Sequence, residues 1–74
     1  MITWKKIEAG EYKSTDGRFE IFKTYSVIFG NCWALDDGKA KHYCDARHYE
    51  YSLKDAKARA EGIVKCEIGE VDIP

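Results

Sequence analysis

Apolar and polar residues follow two different periods along this chain. Residues 18–25 alternate: Phe19, Ile21 and Tyr25 fall on one side of an extended backbone, and Glu20, Phe22 and Thr24 on the other. From residue 53 the period lengthens. Leu53, Ala56, Ala60, Ile63 and Val64 recur at offsets of 0, 3, 7, 10 and 11, a single stripe along one face of a helix. Ser52 precedes the stripe as an N-cap, and Asp55 three residues on is placed to answer the Ser52 N–H, as in a capping box. Lys54, Asp55, Lys57, Arg59 and Glu61 face away, with Asp55/Arg59 and Lys57/Glu61 spaced for pairing along the helix. Such a short helix is marginal alone and needs a surface to lie on.

The preceding residues supply that surface. Residues 2–7, with Trp4, read as a first strand that Gly10 interrupts. Asp16-Gly17 is the strongest turn signal, because glycine tolerates the positive φ of tight hairpin turns. Residues 18–25 form the second strand. Val27-Ile28-Phe29 either prolong it or make an apolar loop before a turn at Gly30-Asn31. Residues 32–35 form the third strand, with Trp33 and Leu35 in phase, stopped by Asp36-Asp37-Gly38. Residues 39–51 show no clean period and read as a loop, with a short fourth strand near residues 41–43 as the variant. The expected fold class is α+β: a three-stranded antiparallel sheet, four with that addition, packed by one C-terminal helix. The domain is expected to cover residues 1–64, with the helix fraying after Gly62 and an extended acidic tail over 65–74. Its core joins Trp4, Tyr12, Phe19, Ile21, Trp33 and Leu35 to Leu53, Ala56, Ala60 and Ile63.

Composition narrows the functional classes. Seventy-four residues make one domain that buries only about 60% of its unfolded surface, and two Trp, five Tyr and three Phe fill a thin core efficiently. Twelve basic against thirteen acidic residues leave a formal charge of −1, with no bulk attraction to nucleic acid or anionic membrane. No apolar run approaches 18 residues and no charged-then-apolar leader is present, so the expectation is a cytoplasmic protein with no membrane partner. Cys32, Cys44 and Cys66 are odd in number and widely spaced, which reads as free thiols in a reducing compartment.

Four groupings bear on chemistry. His42, Cys44, Asp45 and His48 have metal-ligand side chains, but their spacing fits no standard zinc knuckle and reads as a polar loop; no metal or cofactor is expected. Cys44 and His48 could form a nucleophile–base pair, yet so small a chain rarely encloses a pocket of about 300 Å³, so no catalytic residue is assigned. Lys5, Lys6, Lys13, Arg18 and Lys23 interleave with Trp4, Tyr12 and Phe22 as on a sheet that stacks bases, although Glu8, Glu11, Asp16 and Glu20 dilute the field. Asp36, Asp37, Glu67, Glu70 and Asp72 form two acidic segments suited to a basic groove on another protein. Phe22, on the second strand's polar side, and Tyr43 and Tyr49, among charges, complete the expected partner-binding set.

One resemblance adds to this. Trp4, Gly10-x-Tyr12-x-Ser14-x-Asp16-Gly17-Arg18 and Ile21, then Trp33-x-Leu35-x-Asp37, then Leu53-x-Asp55-Ala56-Lys57, resemble the pattern of small phage- and prophage-encoded proteins with a three-stranded sheet and one helix. The architecture is also similar to the sheet-plus-helix DNA-binding modules of plant ethylene-response factors and integrase arm domains. By class analogy the phage resemblance implies an inhibitor of host defence, such as an anti-CRISPR protein, covering a surface of a host protein inside the host cell. A nucleic-acid-binding module is the alternative.

Overall fold

A computed structural model of the protein describes residues 2–40 and 46–67. Five strands, β1 (Trp4–Glu8), β2 (Glu11–Ser14), β3 (Phe19–Ser26), β4 (Gly30–Asp37) and β5 (Arg47–Glu50), precede a helix, α1 (Leu53–Glu67). The strands pair antiparallel in chain order, β1-β2-β3-β4-β5, as one meander. The α+β class and the C-terminal helix stand; the strand count does not.

Two strands were missed for the same reason. Gly10, at φ 83°, turns the chain between β1 and β2, so residues 11–14 form a strand of their own. Residues 47–50, read as loop, pair with β4. Both segments are short and polar, and neither carries an apolar alternation of its own. The fourth strand expected near residues 41–43 lies outside the described residues.

The Asp16-Gly17 turn forms as expected. Gly17 has φ 81°, its N–H bonds the Ser14 carbonyl at 2.9 Å, and the Asp16 carboxylate accepts from both the Ser14 hydroxyl and the Arg18 N–H. Those two bonds, the Ser14 contact first, hold the Asp16 carboxyl below its ordinary range. The second turn falls earlier than Gly30-Asn31: residues 27–29 make a three-residue tip, and Gly30, at φ 73°, opens β4. Asp36 and Asp37 do not stop β4 but form its last two residues.

Register explains the core. Ile21 lies between Tyr12 of β2 and Leu35 of β4, and Phe19 opposite Asp37, so these side chains share the face turned to α1. Phe19, Ile21 and Leu35 are buried against Ala56 and Ala60, with Trp4, Tyr12, Trp33, Leu53, Ile63 and Val64 packed around them. The two alanines let the helix approach the sheet, as the stripe predicts. Burying each large apolar side chain is worth about 1.5–3 kcal/mol. Tyr25, expected on the same face, is 69% exposed, because the hairpin beyond Lys23 outruns the helix.

Helix α1 starts where expected: Ser52 Oγ accepts the Asp55 N–H at 3.0 Å. The charged face is used differently. Arg59 reaches Glu50 of β5 at 3.0 Å rather than Asp55, and Glu61 accepts the Ile2 N–H at 2.8 Å, tying down the chain ahead of β1. Nor does the helix fray after Gly62. It runs to Glu67, so residues 65–67 of the expected tail are helical.

Candidate interaction surface

Among the described residues, the acidic side chains expected to meet a basic partner, Asp36, Asp37 and Glu67, are already engaged. Asp37 is only 6% exposed, on the helix side of β4. Arg18 donates to it through Nε at 2.9 Å and Nη2 at 3.1 Å, and to both Glu67 oxygens through Nη1 and Nη2 at 2.6 Å. One guanidinium therefore joins the end of β4 to the end of α1. Burial pushes the Asp37 carboxyl up, but the Arg18 bond and the Lys39 N–H outweigh it and hold the group below its ordinary value. Glu67 is lowered chiefly by Arg18, and Arg18 is raised in turn by Glu67 and then Asp37. Asp37 and Glu67 thus form a structural latch. Tyr43, Glu70 and Asp72 lie outside the described residues.

Asp36 points the other way. Its carboxylate accepts from Arg47 Nε at 2.6 Å and Nη2 at 2.9 Å, raising Arg47 further. This pair lies on the face of the sheet opposite α1, and so do Phe22 and Tyr49. Register places Glu11, Phe22, Ala34 and Tyr49 in one row across four strands, and Lys5, Lys13, Glu20, Asp36 and Arg47 in the next. The Arg47 guanidinium sits over the Phe22 ring, 5.2 Å from its centroid. Phe29, from the hairpin tip, meets Tyr49 at 6.2 Å and Tyr51 edge-on at 5.4 Å. Ala34 and Cys32 lie buried beneath this layer. Three of the expected partner residues, Phe22, Asp36 and Tyr49, therefore share one face. Sequence reasoning missed Phe29, Arg47 and Tyr51, whose place depends on a strand that has no apolar period.

The other candidate groupings are dispersed. The five cations do not share a face: Lys5 and Lys13 pair across β1 and β2 on the open side, Lys23 lies over Trp33 on the helix side, and Arg18 is in the latch. Glu11 lies close to Glu20 and Glu8, and burial followed by those two charges pushes its carboxyl up. Among the described residues no three side chains are grouped to hold a metal; His42, Cys44 and Asp45 lie outside them, and His48 is on the helix side of β5, near Asp37. Cys32 and Cys66 are free thiols. Cys66 lines an open groove of about 710 Å³ with Asp55, Arg59 and Ile63, where no imidazole among the described residues accompanies it. No helix among the described residues is long and apolar enough to cross a membrane.

Fold and surface together define a small α+β protein whose sheet carries its core on one face and an aromatic layer on the other. Compared with protein-family models, curated proteins and solved structures, the chain finds no match in any of the three.

Proposed function

We propose that this chain is a binding protein, not an enzyme, and that it acts by covering a surface of a partner protein with the open face of its sheet. The observation that carries this reading is the layer formed by Phe22, Phe29, Tyr49 and Tyr51 with Arg47 at its edge, on a face no helix covers among the described residues. Aromatic rings and arginine are the side chains in which interface binding energy concentrates, since they desolvate much area at little rotamer loss. The Asp36–Arg47 pair holds the guanidinium in place before a partner arrives, which reduces the ordering loss on binding. Among the described residues, the acidic side chains on this face include Glu11, Glu20 and Asp36. A role as a phage-type inhibitor of a host protein follows the sequence resemblance.

Capture from a bacterial lysate tests the reading, with the parent chain and a Phe22→Asp variant as baits and each capture repeated after nuclease treatment. The reading expects a protein retained after nuclease and lost with the variant. Signal that disappears with nuclease would instead favour a nucleic-acid-binding module using Lys5 and Lys13.

A further inference from the structure

Two residues at the tip of the β3–β4 hairpin, Val27 and Ile28, have no part in that face or in the core, whereas Phe29 behind them belongs to the face. Val27 is 93% exposed and Ile28 81%, with Tyr25 exposed behind them. In a chain that is 34% charged, residues 24–35 carry no charged side chain. We propose that this tip is a membrane-surface anchor, entering the headgroup–acyl boundary of a lipid bilayer with Val27 and Ile28 foremost and Tyr25 at headgroup level.

Three features of the tip support a bilayer over a protein cleft. First, two of its backbone donors are satisfied from within: the Ser26 hydroxyl oxygen accepts the Ile28 N–H at 3.2 Å and the Phe29 N–H at 3.4 Å. A turn leaving water for lipid must satisfy its donors this way, because lipid offers no partners. Second, the tip is convex, led by two branched aliphatic side chains. Hot spots between proteins instead favour Trp, Tyr and Arg and under-represent Val, whereas a fluid bilayer accepts an apolar wedge without a matching pocket. Third, the side chains are graded. Aliphatic residues lead and Tyr25 follows, with Lys23 further down the strand, the order in which hydrocarbon, interface and water accept them.

Co-sedimentation of the full chain with vesicles tests the anchor, using phosphatidylcholine alone and phosphatidylcholine with about one-third phosphatidylserine. A single myristoyl chain binds with an association constant of about 10⁴ M⁻¹, so this weaker anchor is assayed up to about 5 mM lipid. The parent is expected to bind both vesicles comparably. The double variant Val27→Asp/Ile28→Asp is expected to lose about tenfold or more in partition, while Phe22→Asp stays within about twofold of the parent. Both tip positions are exposed, so an unchanged melting curve checks that the double variant is folded. The anchor is overturned if the parent binds neither vesicle, or if the tip variant partitions as the parent does. Binding confined to phosphatidylserine and abolished by salt would overturn it as well, since charge would then be responsible. So would self-association or protein capture that depends on Val27 and Ile28 without vesicle binding.

Discussion

Replacing Arg18 with methionine removes the latch between sheet and helix while keeping an unbranched side chain of similar reach. In the parent, four hydrogen bonds leave this guanidinium, two to Asp37 and two to Glu67. Without them, Asp37 keeps the Lys39 N–H at 3.0 Å but loses its counter-charge while almost fully buried. Breaking a buried pair from one side costs about 3–5 kcal/mol. Arg18 itself is 15% exposed, so the lower end applies, about 3 kcal/mol, and the half-exposed Glu67 contact adds little. For a domain this size that lowers Tm by about 10 °C or more. Urea unfolding followed by tryptophan fluorescence gives the difference directly. Its pH dependence follows from the signs of the shifts. Asp37 and Glu67 are both lowered in the folded state, so their contribution is present above the ordinary carboxylate range and lost as pH falls through it. The gap between parent and variant should therefore close on acidification. A loss below about 1 kcal/mol at neutral pH, or a gap that persists in acid, would refute the latch.

Three further outcomes follow. Ala60→Asp places a carboxylate under the sheet at a fully buried position and should abolish cooperative thermal unfolding by circular dichroism; a parent-like melt would remove the helix stripe from the core. Gly17→Val forces a β-branched residue to φ 81° and should lower Tm by several degrees, whereas an unchanged Tm would show that the turn tolerates the side chain. Glu11→Gln relieves repulsion from Glu20 and Glu8: because the Glu11 carboxyl is raised in the fold, the variant should melt above the parent at pH 7 and level with it in acid, and equal melts at pH 7 would contradict the cluster.

What was legible in the sequence was what local pattern encodes. Leu53, Ala56, Ala60, Ile63 and Val64 carry their own period, and Asp16-Gly17 its own backbone requirement, so helix and hairpin could be read without knowing the fold. Residues 11–14 and 47–50 become strands only through their neighbours, which no local pattern records. The same limit shaped the site. Asp36 and Asp37 adjoin in sequence, yet they occupy opposite faces of β4 and pair with arginines 11 and 19 residues away. An acidic patch in the sequence is two separate ion pairs in space. Phe22 lies off the core face because alternation alone dictates it, but the layer it joins needs Phe29, Arg47 and Tyr51 from later segments.

The central claim, that the open sheet face meets the partner, is tested most directly by photo-crosslinking from defined positions. A photoreactive phenylalanine analogue is placed at Phe22, at Tyr51, or at Lys54 on the exposed side of α1. After irradiation in lysate, the account predicts one shared protein adduct from positions 22 and 51 and none from 54. An adduct from position 54 alone, or nucleic-acid adducts from position 22, would contradict it.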